Sequence, residues 1–127
     1  MREQFQEELN SVSATLVQMA GLVKTAMENA TTALLTADLA LAERVIAEDS
    51  VVDEIQHELD ARTINLIARQ GPVASDLRTL VTSLRMSADL ERMGDLAHHI
   101  AKSARMRYPA TAVPPELSLT IEEMGRV

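Results

Sequence analysis

The stretch Leu66-Ile67-Ala68-Arg69-Gln70-Gly71-Pro72-Val73-Ala74-Ser75-Asp76-Leu77 decides the fold. Glycine readily ends a helix, and proline cannot continue one but can open the next. Gly71-Pro72 therefore reads as a sharp break between two long helices, with Ser75 and Asp76 available to accept from the first free amides of the second. Upstream of the break, Leu39, Ala42, Val45, Ile46, Val52, Ile55, Leu59, Leu66 and Ile67 recur at helical spacing. Downstream, Leu77, Leu80, Val81, Leu84, Ala88, Leu96 and Ile100 do the same, and no alternating strand pattern competes.

A second break lies at Thr36-Ala37-Asp38, where the apolar series from Leu9 through Val12, Leu16, Met19, Val23, Met27 and Ala30 to Leu34 runs out. Either Asp38 or Thr36 can cap the helix that follows. The third segment should stop at Tyr108-Pro109, ahead of a Pro-containing link over residues 109–115. Three segments of roughly 30 residues each correspond to helices about 45–50 Å long, and short turns make neighbours antiparallel. The expected fold is all-α: an elongated antiparallel three-helix bundle over 1–108, the link, and the start of a fourth helix over 116–127. That last segment carries Leu117, Leu119, Ile121, Met124 and Val127 with no long partner of its own, which predicts either a truncated second unit or cover from another copy.

Composition narrows the functional classes. The chain has 127 residues, 46% of them apolar but only 2% aromatic, so its core must come from Leu, Val, Ile, Ala and Met. Met19, Met27, Met86 and Met93 read as aliphatic packing rather than as ligands. Cysteine is absent, which removes disulfides, thiolate metal sites and cysteine nucleophiles. A net charge of −7 argues against nucleic-acid binding, which depends on clustered Lys and Arg. The acidic start Met1-Arg2-Glu3-Gln4-Phe5-Gln6-Glu7-Glu8 lacks the order of a signal peptide, and no apolar run nears the ~18 residues of a membrane span. A soluble cytoplasmic protein, attached to membranes only through partners, is the expectation. Glycine-rich phosphate loops, nucleophile elbows and HExxH helices are all missing, so an enzyme is not expected.

Acidic residues interrupt the apolar stripes. Asp49 follows Val45 by four and precedes Val52 by three, with Asp53 one turn later; Glu91 follows Ala88 by three, with Asp95 one turn on. Like charges at i, i+4 repel by about 0.2–0.5 kcal/mol. If the chain folds back about Pro72, the pairs 53/91 and 49/95 each fall at equal distance from the turn, so the four carboxylates meet at one height. Four such side chains between two helices make a plausible site for a divalent or iron-type ion such as Mg, Ca, Mn or Fe, with nothing in the spacing to choose among them. The competing interpretation is a solvated face whose acids are neutralised by Arg85, Arg92 or Lys102. His98 shares the Glu91/Asp95 face and is the best supplementary ligand; His57 and His99 read as surface residues. Gly94 either permits close helix approach beside the acids or has no functional reason.

Glu54-Ile55-Gln56-His57 and Asp95-Leu96-Ala97-His98 each set an acid and an imidazole at i, i+3, the spacing of carboxylate-bridged di-iron bundles. A ferritin-like di-iron protein is thus an alternative, although Glu54 lies away from the Asp49/Asp53 direction. A purely structural oligomerisation module is another.

The string Asp89-Leu90-Glu91-Arg92-Met93-Gly94-Asp95, preceded by Pro72-Val73-Ala74-Ser75-Asp76-Leu77-Arg78, resembles the signature of the PhoU family, in an actinobacterial-like version. Asp49-Ser50-Val51-Val52-Asp53 resembles the family's other acidic element. The resemblance implies a fold of two three-helix repeats and multinuclear metal held through acidic elements, here Asp49, Asp53, Glu91 and Asp95. It also implies negative regulation of phosphate uptake and of phosphate-starvation signalling, as an adaptor between a phosphate ABC transporter and its sensor histidine kinase. The chain departs from the pattern in carrying one repeat, for which a homodimer would compensate, and in having Met93 where Ile is common, a volume-conserving change.

Overall fold

The computed structural model describes residues 2–111 and 113–126. Three long helices run up, down and up: α1 (Arg2–Thr36), α2 (Leu39–Gln70) and α3 (Ala74–Arg107). A single 3-10 turn (Pro115–Leu117) leads into the short α4 (Ser118–Arg126). Three positions covered by the sequence expectations, Met1 in the bundle, Ala112 in the link and Val127 in the fourth helix, lie outside the described residues. Among the described residues there is no strand, and no helix is long and apolar enough to cross a membrane.

The breaks work as the residue types dictate. Asp38 caps α2, its Oδ1 accepting from the Leu41 amide at 3.0 Å, while Thr36 turns back to the Thr32 carbonyl instead. The reversal needs a left-handed residue, and Ala37 supplies it at φ 54° despite its Cβ. At the other end Gly71 adopts φ 51°, where glycine is unstrained, and returns its N–H to the Ile67 carbonyl. The expected capping of α3 by Ser75 or Asp76 does not occur: Val73 is the cap residue and no side chain bonds there. Replacing Asp38 by Ala is expected to cost about 1 kcal/mol, read as a lowered melting temperature by circular dichroism; an unchanged melt would mean the turn is held by packing alone.

The core changes character along the bundle. At the Gly71-Pro72 end Phe5, Leu66 and Leu80 cluster; in the middle Val12, Leu16, Met19, Val23, Val52 and Leu59 interlock. At the far end the cluster is mostly alanine: Ala30, Ala33, Ala42, Ala97, Ala101 and Ala104 around Val45. Small residues let helix backbones approach closely, so this end packs through short contacts.

The largest departure from the sequence expectation is the face of α3. Its buried residues are Leu80, Ser83, Ser87, Gly94, Ala97, Ala101 and Ala104. Leu77, Val81 and Leu96, expected inside, are exposed, Leu96 by 57%. Met86 and Met93 are also exposed rather than packed. The physical reason is that α3 nests against both α1 and α2, where a narrow stripe fits better than a bulky one. Buried hydroxyls on this seam are largely satisfied by their own helices, Ser83 to the Thr79 carbonyl and Thr63 of α2 to that of Leu59. Of these outward-turned side chains Met86 lines an open groove of about 610 Å³ between α3 and α1, with Leu16, Val17, Ala20 and Leu90 also on its walls.

The fourth helix does find a partner within the chain, correcting the expectation that it would lack one: α4 packs on α1. The contact is close enough that a Cβ at Gly125 would fall 2.6 Å from the Thr31 side chain. Even so, α4 buries no residue completely, and Leu119 and Met124 remain exposed.

Candidate metal centre

Two sequence elements meet where the middle and alanine-rich clusters join. Val45 and Val52, both buried, anchor α2 on either side of Asp49, and buried Gly94 and Ala97 present α3 opposite. Because these anchors point inward, Asp49 and Asp53 fall on the edge of the α2/α3 seam, half-buried, as does Glu91 across from them; Asp95 is more exposed. Folding back about Pro72 does bring the acids to one height. An alanine Cβ built at Gly94 would lie 3.9 Å from Asp49 Oδ1, 3.7 Å from Val52 and 3.8 Å from Val23, ordinary contacts that leave room for a methyl group. Gly94 thus lies beside the acids without being sterically required there.

The four carboxylates act on one another through space. Partial burial pushes the Asp53 carboxyl above its ordinary range, and the negative charges of Asp49 and Asp95 push it further, against smaller opposing effects of His57 and His98. Burial likewise raises Glu91, with Asp95, Asp53 and Asp49 adding to it and Arg92 slightly offsetting them. Among the described residues no Lys or Arg sits within ion-pair distance of the four acids. Arg92 instead bonds Asp89 at 2.9 Å on the outer surface. The solvated ion-pair network that competed for these residues is therefore not the one formed.

What Asp49 does have is His98. The imidazole Nδ1 lies 2.8 Å from Asp49 Oδ2, a contact between residues 49 positions apart and mostly shielded from solvent. The other ring nitrogen, Nε2, is buried with no hydrogen-bond partner. Among the described residues, no three His, Asp or Glu side chains converge tightly enough to hold an ion between them. The structure thus assembles a strip of mutually repelling acids with one imidazole, its donors adjacent rather than closed around a point.

The second acid-and-imidazole pair does not join this strip. Glu54 and His57 are exposed, and His57 Nδ1 lies 2.7 Å from the Asp53 carbonyl oxygen on its own helix. His99 is exposed as well. His98, singled out from its spacing as the supplementary donor, is half-buried and pairs with Asp49, as the fold-back that aligns 49 with 95 allows.

Comparison with known proteins gives consistent results. The family model described as PhoU domain matches residues 16–104. The "Phosphate-specific transport system accessory protein PhoU homolog 2" of Mycobacterium tuberculosis is 46% identical over all of this chain and 60% of its own length. Homolog 1 of Mycobacterium leprae is 43% identical over all of the chain and 57% of its length. The Rhizobium meliloti homolog is 34% identical over 97% of the chain and 52% of its length. The crystal structure of PhoU from Pseudomonas aeruginosa superposes with a TM-score of 0.86 at 30% identity, covering 96% of this chain and 58% of that one. The chain thus spans between half and two thirds of the length of these relatives.

Proposed function

Because this chain belongs to the PhoU family, we propose that it is a non-catalytic accessory regulator of phosphate-specific transport, acting as a negative regulator of phosphate uptake and of phosphate-starvation signalling. The observation that supports this most is likeness along the whole chain to proteins named as transport-system accessory proteins. In this reading it works in the cytoplasm as an adaptor, bridging components of a phosphate ABC transporter and a sensor histidine kinase, and pairs with a second copy of itself. An acidic, elongated bundle with an open apolar groove along α1 and α3 has surfaces for both kinds of contact: charge for steering and the groove for docking.

Metal belongs to the same proposal. Asp49, Asp53, Glu91 and Asp95, with His98 as supplementary donor, are the candidate ligands, and their chemistry suits divalent or iron-type ions. Three features of the donors fit such a group: carboxylates without Lys or Arg partners, three of them half-buried, mutual repulsion that raises Asp53 and Glu91, and an orphaned nitrogen on His98. Side-chain rotation about χ1 and χ2 is needed to close them on an ion, since they do not converge unaided. A bound cation supplies positive charge that cancels the repulsion across the α2/α3 seam, so its effect on the protein is to hold two helices together.

Deleting the gene in its own host is expected to leave a phosphate-starvation reporter switched on at ample phosphate, and re-expression of the chain to switch it off. A reporter that stays repressed in the deletion strain overturns the regulatory reading.

A further inference from the structure

We propose that α3 carries a second helix-packing seam, on its outer side beside α2, and that this seam docks a helix of a partner protein that is acidic along one flank. The inference rests on the adaptor reading above and deepens it by naming a surface through which a partner is held.

Spacing and exposure together define the seam. Leu77, Val81, Leu84 and Ala88 follow one another at intervals of four, three and four, the spacing by which one helix packs along another. None of them belongs to the buried face of α3, which is the separate stripe containing Leu80, Ser83, Ser87 and Gly94. Leu77 and Val81 are 38% and 36% exposed, and Leu84 and Ala88 are half-buried. The same intervals lead on to Glu91 and Asp95, so the apolar strip ends where the acidic strip begins. Ile64 of α2 extends the strip sideways. It follows Asp53 by eleven residues, about three turns, and so shares its face, while the fold-back about Pro72 sets it level with residue 80. Ile64 is 58% exposed. The short α4 packs on α1 and leaves this side of the bundle open. Apolar residues at three- and four-residue intervals along an open face are what an amphipathic helix recognises.

Charge says which helix fits. Arg78, Arg85 and Arg92 recur every seven residues, about 10.5 Å apart, along the edge of the strip away from α2. Residues flanking a helix seam select its partner by charge. Arg92 is engaged by Asp89, but Arg78 and Arg85 are exposed and form no ion pair among the described residues. In a chain of net charge −7 this edge is locally basic, and it calls for Glu or Asp on the partner. The α2 edge carries Asp53 and Asp60 instead. A helix acidic on both flanks is therefore repelled on one side, and the fitting helix is acidic on a single flank. A second copy that presented its own α3 in antiparallel register would set arginine against arginine, so the strip disfavours self-pairing.

The test uses the full 127-residue chain and two labelled synthetic helical peptides with leucines at three- and four-residue intervals. One peptide has Glu on one flank and Lys on the other; the second has Lys on both. By fluorescence anisotropy the wild-type chain is expected to bind the Glu/Lys peptide at least about 10-fold more tightly than the Lys/Lys peptide. The double variant Arg78→Glu, Arg85→Glu should reverse that order, and Val81→Glu should abolish binding of both. Equal affinity of the wild type for the two peptides, no binding of either, or an order unchanged by the arginine reversal overturns the inference. So does a dimer that falls apart in the Val81→Glu variant on sedimentation, which would make a second copy the occupant. In the host, the arginine-reversal variant is expected to leave the starvation reporter on at ample phosphate. A reporter repressed as fully as by the wild type overturns this docking surface and leaves the regulatory reading, which the deletion strain tests, in place. The wild-type peptide comparison decides the matter even if the variants fold poorly.

Discussion

Metal-free protein is expected to gain stability when Glu91 is replaced by Gln, and to lose most of its response to added metal by the same change. The sign follows from the raised titration of Glu91 and Asp53. A carboxyl that ionises less readily in the fold than in the unfolded chain penalises the folded state at pH values above its raised pKa, and the penalty is relieved as pH falls through that value. Removing one charge relieves like-charge repulsion worth a few tenths of a kcal/mol per neighbour, reduced by solvent at these part-exposed positions. The variant should therefore melt higher than wild type at neutral pH, with the difference fading in mild acid. Metal reverses the ranking. An ion present at about 100 times its dissociation constant stabilises the wild-type fold by about 2.7 kcal/mol, and a site short of one carboxylate binds more weakly and gains less. Melting curves of both proteins, with and without Zn²⁺, check this. A Glu91→Gln protein less stable than wild type without metal would show that Glu91 serves the fold.

The second large effect concerns α3. Ala97→Leu is expected to destabilise the bundle by about 1–3 kcal/mol or more, because Ala97 is fully buried in the alanine-rich cluster and extra carbons must push helices apart. Its neighbour Leu96, 57% exposed, should tolerate Leu96→Ala within about 0.5 kcal/mol. Chemical denaturation of the two variants decides between this packing and the one expected from hydropathy alone, which requires the opposite order.

That contrast shows where sequence reading succeeds and where it fails. Helix limits were legible because local chemistry sets them: Asp38 can cap, Gly71 can take a left-handed turn, and Pro72 and Pro109 cannot continue a helix. The alignment of Asp49 and Asp53 with Glu91 and Asp95 was legible because a tight turn leaves little freedom of register. The inner face of α3 was not. Ser83, Ser87, Gly94, Ala97, Ala101 and Ala104 carry almost no hydropathy signal, so the eye follows Leu77, Val81 and Leu96 around the helix instead. A cue was present in their spacing, which repeats small residues at intervals of three, four and seven. Docking of α4 on α1 was illegible for a related reason: the clearance that Gly125 provides over Thr31 is visible only once the two helices are side by side.

The alanine and glycine stripe has a mechanical corollary. Long flexible side chains between two helices can absorb a small displacement by changing rotamer, but Gly94, Ala97 and Ala101 have nothing to rotate. A pull exerted between Asp53 and Glu91 is consequently taken up by the rods themselves, and α3, 34 residues without interruption, delivers it to both of its tips about 50 Å apart. The middle of the bundle is stiff by composition, and its ends are where any strain will emerge.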